Sequence, residues 1–294
     1  MATLSTPQPC VRLQIDAPAP LRLWHLTSLD APTVAFVWTL VFAWVVHVRL
    51  PLWLPIVVSL SAWACYIGDR LMDTRRVHRS IFGLYKSGSL RERHHFHWRN
   101  RKLLLPIAIF AGCAALILVL RFMPFHAQER DSALAIATVA YFGSIHSPSH
   151  SSNRRRRTLL PKELLVALVF TLACAAPAFT RVSSHYELLL LPAVIFIALA
   201  WLNCHAIETW ETSFIQTATG IHKLAYRLAT AAFVIAIAAA FLHAPRVAAL
   251  LVMATISAAL IGLLDQFRDR LTPLSLRIAA DLVLLTPLAL LPFA

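Results

Sequence analysis

Tyr66-Ile-Gly-Asp-Arg-Leu-Met-Asp73 closes an apolar run that begins at Pro51, and it sets two aspartates, Asp69 and Asp73, four residues apart. If the helix continues through them, that spacing puts both carboxylates on one face, a turn apart. Their place at the end of an apolar run puts them at the edge of a bilayer. Acids at that depth are costly, and the usual reason a chain carries them is a site. The remaining sequence reads as a bundle of membrane helices that delivers other polar groups to the same side.

The composition supports that class. The chain is 59% hydrophobic and 14% charged, and its apolar runs approach or exceed the roughly 20 residues that span a hydrocarbon core. The expectation is an all-α polytopic membrane protein with nine spans, at about 31–48, 51–68, 103–120, 132–143, 164–179, 188–203, 224–242, 247–264 and 274–293. Residues 1–26 read as a cytoplasmic tail and 27–294 as the transmembrane domain. The net charge of +13 does not point to nucleic acid, because Lys and Arg concentrate in the short loops between apolar runs, as the positive-inside bias predicts. Ten of them fall between the second and third runs, from Arg70 to Lys102. Arg154, Arg155, Arg156, Arg157 and Lys162 lie between the fourth and fifth, and Arg268 and Arg270 between the eighth and ninth. The alternation places the N-terminus in the cytoplasm and the C-terminus outside; the expected location is a bacterial inner membrane. Cysteines show no zinc or disulfide spacing and read as helix-packing residues.

A second acidic cluster closes the sixth run on the same side: Asn203-Cys-His-Ala-Ile-Glu208-Thr-Trp-Glu211. Two carboxylate clusters with arginine nearby suit a diphosphate held through Mg²⁺, which takes oxygen ligands from a couple of carboxylates, water and phosphate. Arginine adds bidentate contacts, and metal and guanidinium together stabilise diphosphate as a leaving group. Trp63, Tyr66 and Trp210 offer ring faces to an allylic cation.

This layout resembles the UbiA superfamily of intramembrane prenyltransferases, over nearly the whole chain from Ser28-Leu-Asp-Ala-Pro32 to Thr286-Pro287. Of the family's first motif, Asn-Asp-x-x-Asp-x-x-x-Asp, the last two acids match Asp69 and Asp73, while Cys65 and Tyr66 stand where the Asn and first Asp belong. The basic stretch before the fifth helix looks like Arg156-Arg157-Thr158-Leu-Leu-Pro161-Lys162. The second motif is reduced to Glu208 and Glu211, with Gly220-Ile-His-Lys223 further on. The resemblance implies transfer of a prenyl group from an allylic diphosphate to a lipophilic acceptor. It implies metal binding by Asp69, Asp73, Glu208 and Glu211, and substrate contacts from Tyr66, Arg70, Arg156, Arg157, Lys162, Asn203 and Lys223. His205 is a candidate general base or a polar packing contact.

Structural readings compete at several of these positions. Asp69 and Asp73 would also neutralise Arg70, Arg75 and Arg76 at a helix end. Asp265 and Asp269 repeat the spacing of four beside Arg268 and Arg270, which favours a surface salt bridge. Arg277 and Asp281, one turn apart in the last run, favour a buried pair with each other. His94, His95 and His97 favour an interfacial segment touching lipid headgroups or the diphosphate. The alternative to an enzyme is a non-catalytic scaffold or lipid-binding subunit that keeps the same helical frame.

Overall fold

The long apolar runs leave the backbone no solvent to bond with, so helices are the expected solution in lipid. The computed structural model describes residues 15–81, 92–125, 128, 161–182, 185–212 and 220–293. These are helical almost throughout: α1 (Ala19–Leu26), α2 (Asp30–Val45), α3 (Trp53–Ile81), α4 (Glu92–Arg99), α5 (Arg101–Phe122), α6 (Lys162–Phe179), α7 (Glu187–Thr212), α8 (Ile221–Phe241), α9 (Pro245–Gln266) and α10 (Pro273–Val283). Among the described residues there is no strand, only one isolated bridge between Ile15 and Leu271. The expected fourth run, 132–143, and the basic run 154–157 lie outside the described residues.

Six helical stretches are long and apolar enough to cross a membrane: α5, α6, α7, α8, α9 and Pro273–Pro292. The chain is an integral membrane protein on that ground. A seventh crossing counts if α1 and α2, which meet at a bend of 85°, are taken as one broken span. The helix α3 does run unbroken through Asp69 and Asp73. At 29 residues it is about 43 Å long, but with its charged half included it is not among the six stretches that qualify as spans. The last apolar run is not one helix: α10 stops at Val283 and a 3-10 turn takes over at Thr286–Phe293, where Pro287 and Pro292 lack amide donors.

The core sits between α2 and α7. Trp38 stacks on Phe196 with centroids 3.6 Å apart, Phe42 meets Phe196 edge-on, and the Trp38 indole donates to the Leu284 carbonyl at 2.9 Å. That bond ties α2 to the turn where the last run breaks. Beside it, α8 presents Ala225, Ala229, Ala232, Ala236 and Ala239, all buried, at alternating steps of four and three. Small residues at that spacing let two backbones approach closely. Gly262 on α9 marks the tightest point, since a Cβ there would lie 3.1 Å from the Tyr226 ring. Outward faces are apolar: Phe110 and Ile117 on α5, Phe233, Val234 and Phe241 on α8. Such a belt on a water-soluble protein would be an aggregation hazard; here it matches a lipid contact.

Residues 15–26, expected as part of a tail, pack onto this frame. Ile15 exchanges backbone hydrogen bonds with Arg270 and Thr272, and His25 is fully buried.

The close seam gives a direct test. Ala232→Leu forces extra volume between α8 and α9 and is expected to cost about 1–3 kcal/mol, whereas Val234→Leu on the exposed face of α8 is expected to change little. Thermal unfolding of both variants in detergent compares them.

Candidate functional site

The centre is assembled by a turn that the sequence makes without glycine. α1 ends with the Leu29 amide on the Trp24 carbonyl at 3.0 Å and the Ser28 amide on the His25 carbonyl at 3.0 Å. This is a Schellman ending with Ser28 in the left-handed region, φ 60°. A non-glycine residue held there costs about 1–2 kcal/mol, and the surroundings hold it firmly. Ser28 is buried with its hydroxyl 3.1 Å from His97 Nε2 on α4, and the Trp63 indole on α3 donates to the Thr27 carbonyl at 3.0 Å.

The turn places the last residues of α1 against the first of α2. His25 Nδ1 lies 2.8 Å from Asp30 Oδ2, while Asp30 Oδ1 accepts from the Ala31 amide at 2.8 Å. From α10, Asp281 Oδ2 lies 3.4 Å from the same His25 nitrogen. From α7, Asn203 Nδ2 donates to Asp281 Oδ1 at 3.3 Å. From α3, Arg70 Nη2 lies 3.6 Å from Asp30 Oδ2, and its guanidinium sits 5.0 Å from the Tyr66 ring centroid. Five helices therefore meet at one polar centre in an apolar bundle. His25, Asp30, Arg70 and Asn203 are each no more than 5% exposed.

Charge accounting constrains this centre. Two carboxylates and one guanidinium leave a net charge of −1 with neutral His25, and zero with His25 protonated. A low-dielectric interior favours the balanced state. Buried polar atoms of this centre that lack a hydrogen-bond partner within the protein include His25 Nε2, Arg70 Nη1 and Asn203 Oδ1. Unmet donors and acceptors this deep call for a further polar partner such as ordered water or a ligand. His25 with Asp30 and Asp281 also brings three ligand atoms within 4.8 Å of one another, close enough for a small cation.

Of the residues singled out in the sequence, Tyr66, Arg70 and Asn203 belong to this centre. Asp69 and Asp73 are half-buried on α3, one turn apart. Glu208 is exposed, while Glu211 is half-buried and bound by Arg277 of α10. His205 stacks flat on Trp201, with centroids 5.3 Å apart. Lys162 is exposed where α6 begins, and Lys223 is exposed on α8. Arg156 and Arg157 lie outside the described residues.

Three expectations are corrected. Arg277 and Asp281 do not pair with each other: Arg277 reaches Glu211, and Asp281 turns to His25 and Asn203. Asp265 is not a surface partner of Arg268 but a buried acceptor. It binds the Trp210 indole at 2.8 Å, the His222 amide at 2.9 Å and His222 Nδ1 at 3.0 Å, with Arg268 only at 3.9 Å. His97 is buried against Ser28 and does not face headgroups.

The donor sets bear unequally on Mg²⁺. Asp69 and Asp73 supply two carboxylates on adjacent turns, enough for a cation that completes its shell with water and phosphate oxygens. Glu208 and Glu211 are more encumbered, because Arg277 holds Oε1 of Glu211 and Glu208 is exposed. Among the described residues, no three of these four acids come within common ligand distance.

Asp30 and Arg70 were missed and found, respectively, for one reason. Arg70 sits inside the acidic motif, whereas Asp30 lies at the head of an apolar run with its partners on other helices. An ionisable residue there was the available signal.

The pair is testable by a double-variant cycle. Asp30→Asn or Arg70→Gln alone leaves a buried charge uncompensated and is expected to cost about 3–5 kcal/mol, and combining them is expected to restore part of that loss. Chemical or thermal unfolding in detergent measures the coupling. No family model matches the chain, and neither a curated protein nor a solved structure matches it.

Proposed function

We propose that the chain is a UbiA-like membrane protein of nine spans, with its N-terminus in the cytoplasm and its C-terminus outside in a bacterial plasma membrane. Its proposed activity is transfer of a prenyl group from an allylic diphosphate to a lipophilic acceptor. The observation that carries this reading is the meeting of α3 and α7, the second and sixth spans in that count, at one polar centre. Tyr66 and Arg70 arrive from α3, Asn203 from α7, and Asp30 and Asp281 connect them.

The chain's own groups have separable roles in such a reaction. Arg70 is held by Asp30 through Nη2, yet its buried Nη1 lacks a partner, so it can donate to a phosphate oxygen without leaving its place. The Asp30 carboxylate orients that guanidinium. Asp69 and Asp73 would hold Mg²⁺, which when bound neutralises charge on a departing diphosphate. Tyr66 offers a ring face beside the same guanidinium. Trp63 is tied to the Thr27 carbonyl and Trp210 to Asp265, which fixes their indoles in place. The surrounding helices would exclude water from a reactive carbocation.

A second reading has its own support. Glu211 is paired with Arg277 through one oxygen, and Glu208 is exposed, so the α7 half of a two-metal site is weakened. A scaffold or lipid-binding subunit with the same frame would show this pattern.

Incubating the purified protein with Mg²⁺ and radiolabelled geranyl or longer diphosphates separates the two. Transfer is expected to fall at least about a hundredfold in the Asp69→Ala/Asp73→Ala double variant, and in Asp69→Asn/Asp73→Asn, which keeps the side-chain shape, by a similar factor. Absence of Mg²⁺-dependent diphosphate binding, together with a stable protein partner on purification, would establish the second reading instead.

A further inference from the structure

The start of α8 carries a second polar constellation that the buried centre does not use. Asp265, buried at the end of α9, fixes the His222 ring through Nδ1 at 3.0 Å and the His222 amide at 2.9 Å. With Nδ1 engaged, Nε2 is the ring atom left for an outside partner. His222 stands at the head of an open groove of about 800 Å³ that runs along α8 past Lys223, Tyr226, Arg227, Thr230 and Val234. Lys223 and Arg227 are exposed one turn apart. No carboxylate is among the described lining residues.

The groove thus has two chemically distinct halves, basic at the start of the helix and apolar beyond Thr230. Its direction supplies the rest of the argument. α8 is long and apolar enough to cross a membrane, so its first turns lie at the headgroup level and Val234 lies among hydrocarbon chains. An apolar groove at that depth is filled by a lipid chain, and the cations at its head select the charge of that lipid.

We propose that this groove binds an anionic glycerophospholipid of the surrounding bilayer. Its phosphate is held by Lys223 and Arg227, a headgroup hydroxyl donates to His222 Nε2, and its acyl chain lies along the Thr230–Val234 face. The proposal requires that α8 cross the bilayer, and it does not depend on prenyl transfer. Asp265 is a positioning residue here, acting through the His222 ring.

The test uses the full chain purified in mild detergent. Phosphatidylglycerol or phosphatidylcholine with the same acyl chains is added, and retained lipid is counted by native mass spectrometry. Phosphatidylglycerol is expected to be retained about tenfold or more over phosphatidylcholine, with a loss of about fivefold for each cation removed in Lys223→Gln/Arg227→Gln. Thermal unfolding of the variant should match that of the parent, since both side chains are exposed. If the double variant does not fold, Arg227→Gln alone is expected to lose about fivefold. Equal retention of the two lipids, or retention unchanged in the variants, overturns the proposal. Displacement by millimolar inorganic phosphate would reduce the groove to a phosphate site. Displacement by an equimolar prenyl diphosphate would make it a substrate site. Either result also overturns the proposal.

Discussion

The Asp30 carboxylate is the constraint around which the helices are arranged. A charge removed from water in an apolar bundle costs several kcal/mol unless cations and donors surround it, and Asp30 is 3% exposed. Its partners come from the end of α1, from α3 and, through the shared His25, from α10. Each must be in register for the centre to balance. The 85° bend between α1 and α2 follows from the same need, because only a sharp reversal sets His25 beside Asp30 so early in the chain.

Packing alone would not select this arrangement. Lipid tails are as apolar as leucine, so helices in a bilayer gain little by hiding apolar faces from their surroundings. Specific contacts decide instead, and they are divided along the bundle. One end gathers the polar pairs: Arg277 with Glu211, Asp265 with Trp210 and His222, Asp281 with Asn203. At the opposite end the Arg246 guanidinium closes on Trp44, with Nη1 2.7 Å from its carbonyl and the ring face 5.1 Å away. Between them run the alanine seam of α8 and the Trp38–Phe196 stack. The ends fix register and the middle fixes approach distance.

Much of this frame was legible from local pattern. Hydrophobic runs located the starts of eight helical stretches within about three residues, while α3 and α7 continue past the expected ends at 68 and 203 to Ile81 and Thr212. The continuation through Asp69 and Asp73, a condition in the sequence reading, is met. Loop basicity implied that the ends bearing Asp69, Asn203 and Asp265 lie together, and Trp210 bonding Asp265 agrees for α7 and α9. Side-chain partnership was not legible, because it depends on contacts between distant parts of the chain. Arg277 and Asp281 share a helical face by spacing, yet each found a better partner on α7. Asp265 carried neighbouring arginines that suggested a surface pair, while the indole of Trp210 and the start of α8 bury it. The break of the last run at Thr286–Phe293 was visible in Pro287 and Pro292, residues that a count of apolar positions ignores.

The two acidic motifs have met different fates, and this bears on chemistry. Arg70 shares the α3 motif with Asp69 and Asp73, and it keeps one donor atom unmet after pairing with Asp30. An anion reaching that atom would gain a charge-assisted hydrogen bond without breaking the Asp30 pair. On α7, Arg277 holds Oε1 of Glu211, and drawing both oxygens of that carboxylate to a metal would separate a half-buried ion pair and leave a second charge to solvate. In the proposed reaction, recognition of a diphosphate would therefore lean on α3 and the buried centre. A mechanism that depends equally on both carboxylate pairs is disfavoured by the geometry of α7 and α10.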